Sequence, residues 1–169
     1  MSAKTYNVLF LCTGNSCRSI LAESILERIG QGRFKGYSAG SHPTGEVNPY
    51  TIELLERFEH PVNELRSKSW DEFAGADAPQ MDFVITVCDQ AAGEVCPVWP
   101  GQPASAHWSF PDPAKFVGSE DKTRKFFEGV YGEINKALAV FVNLPLESLD
   151  ENELTKKLAE IGNAISQGT

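Results

Sequence analysis

The sequence lacks a long apolar run and is short of positive charge. The apolar stretch nearest the N-terminus, residues 8–11, is too short for the core of a signal peptide or for a membrane span. Lysine and arginine total 15 residues against 23 aspartates and glutamates, which gives a formal net charge of -8. This charge repels phosphate polymers and anionic lipid surfaces. We therefore expect a protein that binds neither nucleic acid nor membrane. The short apolar run at the N-terminus predicts a cytoplasmic location, and we expect a monomer.

Low-complexity tracts and internal repeats are also absent from the 169 residues, a length that suits one ordinary domain. Apolar residues make up 41% of the chain and charged residues 22%, proportions typical of a globular protein. Cysteine is scarce, with four residues at positions 12, 17, 88 and 96. Without an export signal, they indicate catalysis or metal binding more than a disulfide framework. Zinc binding is disfavoured, because the gaps C-x4-C and C-x7-C fit zinc knuckles poorly.

Patterns typical of strands and helices alternate along the chain. Short apolar or β-branched runs predict strands over residues 7–11, 35–39, 82–87 and 105–108. Apolar residues at helical spacing predict helices over 19–29, 51–58, 126–142 and 151–165, with a helical turn over 70–73. This order indicates a doubly wound α/β sheet, which binds ligands beyond the C-terminal ends of its strands. We expect one domain over residues 1–144, with residues 145–169 as a helical extension packed on it.

The first predicted strand leads into a loop over residues 12–19, just before the first predicted helix. Successive backbone N–H groups in such a loop can surround one anion, and the helix dipole adds positive potential. Arg18 is spaced to close the ring with a planar fork that holds two oxygens of a tetrahedral oxyanion. The same donors favour a thiolate, so we expect the pKa of Cys12 to lie well below the ordinary ~8.5. Cys12 is the predicted nucleophile, and the predicted anion-binding residues are Thr13, Gly14, Asn15, Ser16, Cys17, Arg18 and Ser19.

Plainer interpretations exist for three of these residues. Cys12 would otherwise be a small apolar residue that finishes a buried strand. Ser19 would either donate a hydrogen bond to the Cys12 sulfur or cap the helix, and the sequence leaves both open. Cys17, at the start of the helix, is predicted to be a buried, inert thiol and not a second nucleophile.

The stretch from Leu9 to Ser19 resembles the signature loop of low-molecular-weight protein tyrosine phosphatases, a C-x5-R-S motif after an N-terminal strand. Two further landmarks of that family follow in the expected order: Tyr37-Ser38-Ala39-Gly40 and Asp112-Pro113. The resemblance covers roughly residues 6–144. It implies a four-stranded parallel sheet flanked by helices on both faces, and it implies that Asp112 is a general acid. Without the resemblance, Asp-Pro would indicate only a turn.

Within the family, the chain is more similar to arsenate reductases than to phosphatases. Cys88 and Cys96 resemble the paired redox cysteines of arsenate reductases, and Asp112-Pro113 is followed by Ala-Lys where phosphatases carry aromatic residues. The resemblance implies that Cys12 attacks arsenate, that Cys88 then attacks Cys12 as arsenite leaves, and that Cys96 finally forms a disulfide with Cys88. The alternatives are a phosphatase that hydrolyses phosphate monoesters and a non-enzymatic thiol sensor.

The resemblance also implies what the protein binds. Arsenate is the expected substrate, phosphate or sulfate would occupy the same loop, and no bound cofactor is implied. A thiol partner would return the cysteines to their reduced form. Thioredoxin is favoured as this partner, while the spacing between Cys88 and Cys96, one residue longer than in thioredoxin-linked enzymes, leaves glutathione with glutaredoxin open.

Some members of the family bind a potassium ion beside the anion loop. Asn15, Glu23 and Ser38 resemble part of that potassium site. The carboxylate that would complete it is absent from residues 67–70, and Lys68 offers its own ammonium group there. We therefore expect no potassium ion and no other bound metal.

Overall fold

A computed structural model of the protein describes residues 4–88 and 103–166, the last of these without its side chain. Its elements begin with β1 (Tyr6–Cys12), α1 (Arg18–Ile29), β2 (Phe34–Gly40), α2 (Pro49–Arg57) and β3 (Phe83–Thr86). They continue with β4 (Ala104–His107), α3 (Glu120–Val142) and α4 (Glu151–Ser166). Short 3-10 helices cover Trp70–Phe73, Pro113–Lys115 and Leu146–Ser148. The predicted elements of the described residues are all present.

The four strands form one parallel sheet in the order β2-β1-β3-β4. In the register of the sheet, Cys12 lies beside Gly40, and Leu11 lies beside Thr86. The C-terminal ends of β1 and β3 therefore meet at one edge of the sheet. Cys88 follows β3 by two residues and comes next to Cys12 there. The predicted four-stranded α/β fold is confirmed.

Both faces of the sheet are covered, because alternate residues of β1 point to opposite sides. Val8 and Phe10 belong to the larger core, to which all four helices contribute. Leu9 and Leu11 belong to a smaller core, which the 3-10 helix Trp70–Phe73 helps to cover. Cys12 and Cys88 both lie in the larger core.

Side-chain caps fix where two of the helices begin. The Asn48 side chain accepts a hydrogen bond from the Tyr50 N–H at the start of α2, and Pro49 occupies the first turn. Ser119 caps α3 in the same way through the Lys122 N–H, with Glu120 following in the first turn. As a result α3 begins six residues before the apolar stripe from which it was predicted. β3 is shorter than predicted and covers Phe83–Thr86, although the Val87 N–H still donates to the Leu11 carbonyl at 2.9 Å.

The C-terminal helix α4 packs on the rest of the chain. Its residues Leu158, Ile161 and Ile165 are buried in the larger core. The indole N–H of Trp108, which directly follows β4, donates a hydrogen bond of 3.0 Å to the Leu158 carbonyl. No helix in the described ranges is long and apolar enough to cross a membrane.

Candidate active site

The loop between β1 and α1 is held in shape by a buried asparagine. Asn15 is fully buried and adopts a positive φ of 48°, a conformation that asparagine tolerates better than most residues. Its side-chain oxygen accepts a hydrogen bond of 2.9 Å from the Lys68 N–H. Its side-chain nitrogen donates to the Ser19 hydroxyl at 2.8 Å. These two contacts connect the loop to the segment after α2 and to the first turn of α1.

The carbonyl groups of the loop accept hydrogen bonds from residues outside the loop. The Thr13 carbonyl accepts from the His42 N–H at 2.9 Å, and the Gly14 carbonyl accepts from the Thr44 N–H at 3.1 Å. The Ser16 carbonyl accepts from the hydroxyl of Thr51. Because a peptide unit carries its N–H opposite its carbonyl, this arrangement turns the loop's N–H groups toward the inside of the loop, as an anion site requires.

Gly40, the last residue of β2, leaves room for the loop. A Cβ atom at this position would lie 2.5 Å from the Thr13 carbonyl oxygen and 2.8 Å from that of Cys12. The Gly40 N–H donates to the Lys68 carbonyl at 2.9 Å. The backbone of the loop passes so close to β2 that only glycine fits without displacing it.

Arg18 joins the loop to the segment that follows β4. Its Nη1 donates to the Phe110 carbonyl at 3.0 Å, and its Nη2 lies 3.4 Å from Oδ2 of Asp112. Its Nε is buried and has no hydrogen-bond partner among the described residues. An unsatisfied buried N–H is costly, and a bound oxyanion supplies the acceptor that this group lacks.

Asp112 has two roles in the structure. Its Oδ1 accepts a hydrogen bond of 3.0 Å from the Ala114 N–H and so caps the 3-10 helix Pro113–Lys115. This is the turn-forming role that Asp-Pro has without the family resemblance. The other oxygen of the same carboxylate lies 3.4 Å from Nη2 of Arg18, so the carboxyl group is next to the guanidinium at the edge of the cavity.

A cavity of about 770 Å³ opens at this edge of the sheet. Among the predicted site residues, it is lined by Cys12, Thr13, Gly14, Ser16, Cys17, Arg18, Cys88 and Asp112. Asn15 and Ser19 are fully buried and support the loop from behind. Cys96, the last predicted cysteine of the relay, lies outside the described residues. The cavity is also lined by residues that the sequence did not single out, chiefly Thr44, Ser109, Phe110 and Ile165.

Cys12 and Cys88 are neighbouring buried thiols. Cys12 is 4% exposed and Cys88 2% exposed, and neither forms a disulfide. The hydrogen bond with the Cys88 thiol, together with burial, raises the pKa of Cys12 above its ordinary value. The Arg18 charge and the backbone hydrogen bond from Gly14 act in the opposite direction. The sequence-based expectation of a lowered pKa was wrong for this arrangement, because it counted the donors of the loop and omitted the second thiol.

Cys17 and Ser19 lie on either side of Arg18, where the loop passes into α1. Cys17 is 3% exposed, and burial raises the pKa of its thiol, as expected for an inert cysteine. Cys17 also occupies the N-cap position of α1, so the interpretation of Ser19 as the cap was wrong. The Ser19 hydroxyl instead accepts a hydrogen bond from Asn15 within the first turn of the helix.

The region that resembles a potassium site contains the side chain of Lys68. Its Nζ lies 3.4 Å from Oγ of Ser38 and 3.0 Å from the Arg66 carbonyl. Ser38 in turn donates to a carboxylate oxygen of Glu23 at 2.6 Å. Burial lowers the pKa of Lys68 and raises that of Glu23, while each charge counteracts the effect on the other. The residues fit potassium poorly, because an ammonium group already provides the positive charge at this place.

Comparison with known proteins gives consistent results. The family model for low molecular weight phosphotyrosine protein phosphatase matches residues 7–157. An arsenate reductase of Halalkalibacterium halodurans is 36% identical over 134 residues, which cover 79% of this chain and 93% of that protein. A solved arsenate reductase in the phosphate binding state superimposes with a TM-score of 0.66 at 25% identity, over 82% of this chain and 97% of the other.

The name of a second solved structure states the redox partner on which that protein depends. It is a thioredoxin-dependent arsenate reductase of Corynebacterium glutamicum, with a TM-score of 0.56 at 25% identity. The match covers 82% of this chain and 63% of that one. The matched family model spans the sheet, the anion loop and Asp112. With the C-x5-R-S loop at the end of β1, this match means that the chain belongs to the low-molecular-weight phosphotyrosine protein phosphatase family.

Proposed function

We propose that this protein is an arsenate reductase that works through three thiols in sequence, Cys12, Cys88 and Cys96. The observation that carries the proposal is the contact between Cys12 and Cys88 inside the anion cavity. Hydrolysis of a phosphate ester needs one nucleophilic thiol, whereas reduction of arsenate needs a second thiol to supply the electrons. The relatives named arsenate reductase support the same reaction.

The first step binds and activates arsenate. The N–H groups of the loop and the Arg18 guanidinium hold the tetrahedral anion, which is isosteric with phosphate. Cys12 gives its thiol proton to the bound arsenate dianion and attacks arsenic, so that an S–As bond forms and one As–O bond breaks. Asp112 donates a proton to the departing oxygen, which leaves as water. The 3.4 Å between Arg18 and Asp112 supports this assignment, because both groups line the cavity that would hold the anion.

The second step transfers the electrons. The Cys88 thiolate attacks the sulfur of Cys12, an S–S bond forms, and the S–As bond breaks. Arsenic takes the electron pair of that bond, so As(V) becomes As(III) and leaves as arsenite. The position of Cys88 beside Cys12 supports this step, since disulfide formation requires Cα atoms within about 7 Å.

The third step frees the active site. Cys96 attacks the sulfur of Cys88, and the Cys88–Cys96 disulfide that results releases Cys12 for the next turnover. An external dithiol then reduces this disulfide. We favour thioredoxin, the partner named for the Corynebacterium relative, with glutathione and glutaredoxin as the alternative. Such a relay needs a reducing compartment, so we expect the protein to act in the cytoplasm.

A phosphatase that hydrolyses phosphate monoesters is the second candidate. The family match favours this function. The residues proposed for the first step of arsenate reduction, Cys12, Arg18 and Asp112, are also sufficient for ester hydrolysis. Against it, Ala114 and Lys115 line the cavity directly after the Asp-Pro turn. Neither of these side chains offers the flat apolar surface that would hold an aryl group.

The deciding experiment measures arsenate-dependent NADPH oxidation. Thioredoxin with its reductase is tested beside glutathione with glutaredoxin and glutathione reductase, and reactions without arsenate are the control. We expect the wild-type protein to turn over with one system and the Cys12→Ser, Cys88→Ser and Cys96→Ser variants to fail. If no system supports turnover while p-nitrophenyl phosphate is cleaved and Cys88→Ser retains that cleavage, the protein is a phosphatase.

A further inference from the structure

The end of β4 and helix α4 are joined by a buried hydrogen bond. The donor is the indole N–H of Trp108, which is 1% exposed, and the acceptor is the carbonyl of Leu158, which is fully buried. The backbone N–H of Trp108 also donates to the Thr86 carbonyl at 2.7 Å. Trp108 therefore ties the C-terminal ends of β3 and β4 to α4.

Gly162 allows α4 to approach this segment closely. A Cβ atom on Gly162 would lie 2.7 Å from the His107 carbonyl oxygen and 3.2 Å from Cδ1 of Trp108. The first of these contacts is with backbone, so a larger residue would push the helix and the strand end apart. The segment that begins at His107 is thus positioned by direct contact with α4.

The same segment carries the groups that complete the anion site. Two residues after Trp108, the Phe110 N–H donates to the Val87 carbonyl at 3.3 Å, and the Phe110 carbonyl accepts from Arg18 at 3.0 Å. Asp112 follows within the same stretch. A displacement at residues 107 and 108 is therefore transmitted to both the guanidinium and the carboxylate.

The last turn of α4 reaches the cavity itself. Ile165 is 8% exposed and lines the cavity together with Cys12 and Asp112. The match to the family ends at residue 157, so Leu158, Gly162 and Ile165 lie beyond it. The family model therefore covers the start of α4 but not the residues by which α4 contacts the site.

We propose that α4 is a positioning element of the active site, which holds residues 107–112 so that Asp112 is aligned with the anion bound beside Cys12. The proposal rests on the proposed function, in which Asp112 protonates the departing oxygen. Misplacement of a catalytic group by about 1 Å can lower a rate by up to about 100-fold. A helix that fixes the strand end on which Asp112 depends therefore affects the chemical step without touching the substrate.

The test is a double-substitution cycle on kcat/KM for arsenate. Gly162→Ala is expected to lower kcat/KM about tenfold in the wild-type background. In the Asp112→Asn background, which has already lost the proton donor, the same substitution should change kcat/KM less than about twofold. Gly132→Ala is the matched control, since Gly132 lies in α3 and an added Cβ there meets no atom within 4 Å.

Two results would overturn the proposal. One is an unchanged kcat/KM in the Gly162→Ala variant, and the other is the same loss in both backgrounds, which a merely structural effect would produce. If Gly162→Ala does not fold, Trp108→Phe replaces it in the cycle, because it keeps the ring and removes the N–H that reaches Leu158. If the wild type reduces no arsenate, only the proposed function fails, and the cycle is measured on hydrolysis of p-nitrophenyl phosphate, which needs the same proton.

Discussion

Arg18 and Asp112 face each other across the mouth of the cavity, with Nη2 of the guanidinium 3.4 Å from Oδ2 of the carboxylate. They come from distant parts of the sequence, one from the start of α1 and the other from the turn after β4. The Phe110 carbonyl holds a second nitrogen of the same guanidinium. The guanidinium that we propose to bind the anion is therefore held in its orientation by the segment that carries the proposed proton donor.

The fork geometry of Arg18 is expected to matter more than its charge. An Arg18→Lys substitution keeps the charge but loses two-point binding, so the dissociation constant for inorganic phosphate should rise about 10- to 100-fold. Calorimetric titration measures it. Arg66→Lys is the matched control, because Arg66 forms a similar two-point contact with Glu72 on the exposed surface. Equal affinity of the wild type and Arg18→Lys would contradict the assignment.

The contact between Cys12 and Cys88 predicts how Cys12 ionises. Because this contact is the largest cause of the raised pKa, Cys88→Ala should lower the pKa of Cys12. More thiolate is then present at neutral pH, and alkylation of Cys12 by iodoacetamide should become faster there. The measurement is the pH dependence of the alkylation rate, followed by mass spectrometry of the Cys12 peptide. Cys17→Ala should leave the midpoint in place, and a midpoint that rises in Cys88→Ala would count against the contact.

His60 makes stability depend on pH. Burial lowers its pKa from 6.5 to about 4, and its Nε2 lies 2.6 Å from the Tyr131 hydroxyl. Between these two values His60 binds more protons in the unfolded chain than in the folded one, so its contribution to the free energy of unfolding falls as the pH decreases from 6.5 to about 4. The contribution of His60 to this loss is up to about 3 kcal/mol.

Urea unfolding at several pH values between 4 and 7 measures this effect. The His60→Gln variant should show a flatter pH dependence, because glutamine does not titrate. His42→Gln is the control, since His42 is exposed and its replacement should leave the wild-type dependence unchanged. If both variants have the same slope as the wild type, His60 does not carry the effect.

Because Lys68 occupies the region that resembles a potassium site, we expect potassium to have no specific effect on the thermal stability of the protein. With its ammonium beside Ser38 and Glu23, thermal unfolding midpoints should agree in sodium and potassium salts of equal concentration. The Lys68→Met variant leaves Glu23 without this buried cation, which should cost about 3 kcal/mol of stability. Lys35→Met is the control, because Lys35 is exposed on β2. A wild-type midpoint that rises selectively with potassium would show that the ion binds despite Lys68.

Local patterns in the sequence were sufficient for the sheet and for the anion loop. Short apolar runs and helical spacing depend only on neighbouring residues, and so does the strand–loop–helix context of Cys12 and Arg18. The start of α3 was predicted too late, because the prediction used the apolar stripe and did not use the helix cap. Ser119, followed by Glu120 and Asp121, is a signal that the sequence does contain.

Features that depend on distant parts of the chain could not be obtained in this way. The pKa of Cys12 follows from a thiol 76 positions later, brought beside it by the register between β1 and β3. The same holds for the contact of Arg18 with the Phe110 carbonyl and for Ile165 at the cavity. The helical stripe that contains Ile165 indicates a buried face, but it does not indicate what that face touches.

Gly40 has a consequence for how the protein tolerates mutation. The residue binds no substrate, yet any side chain at its position would collide with the carbonyl oxygens of Thr13 and Cys12. In a library that randomises only the codons of the loop, Gly40 would therefore still restrict the backbone conformations that the loop can adopt. Attempts to evolve a different oxyanion preference will need compensating changes at the end of β2, because the outline of the pocket is set there as much as by the residues that line it.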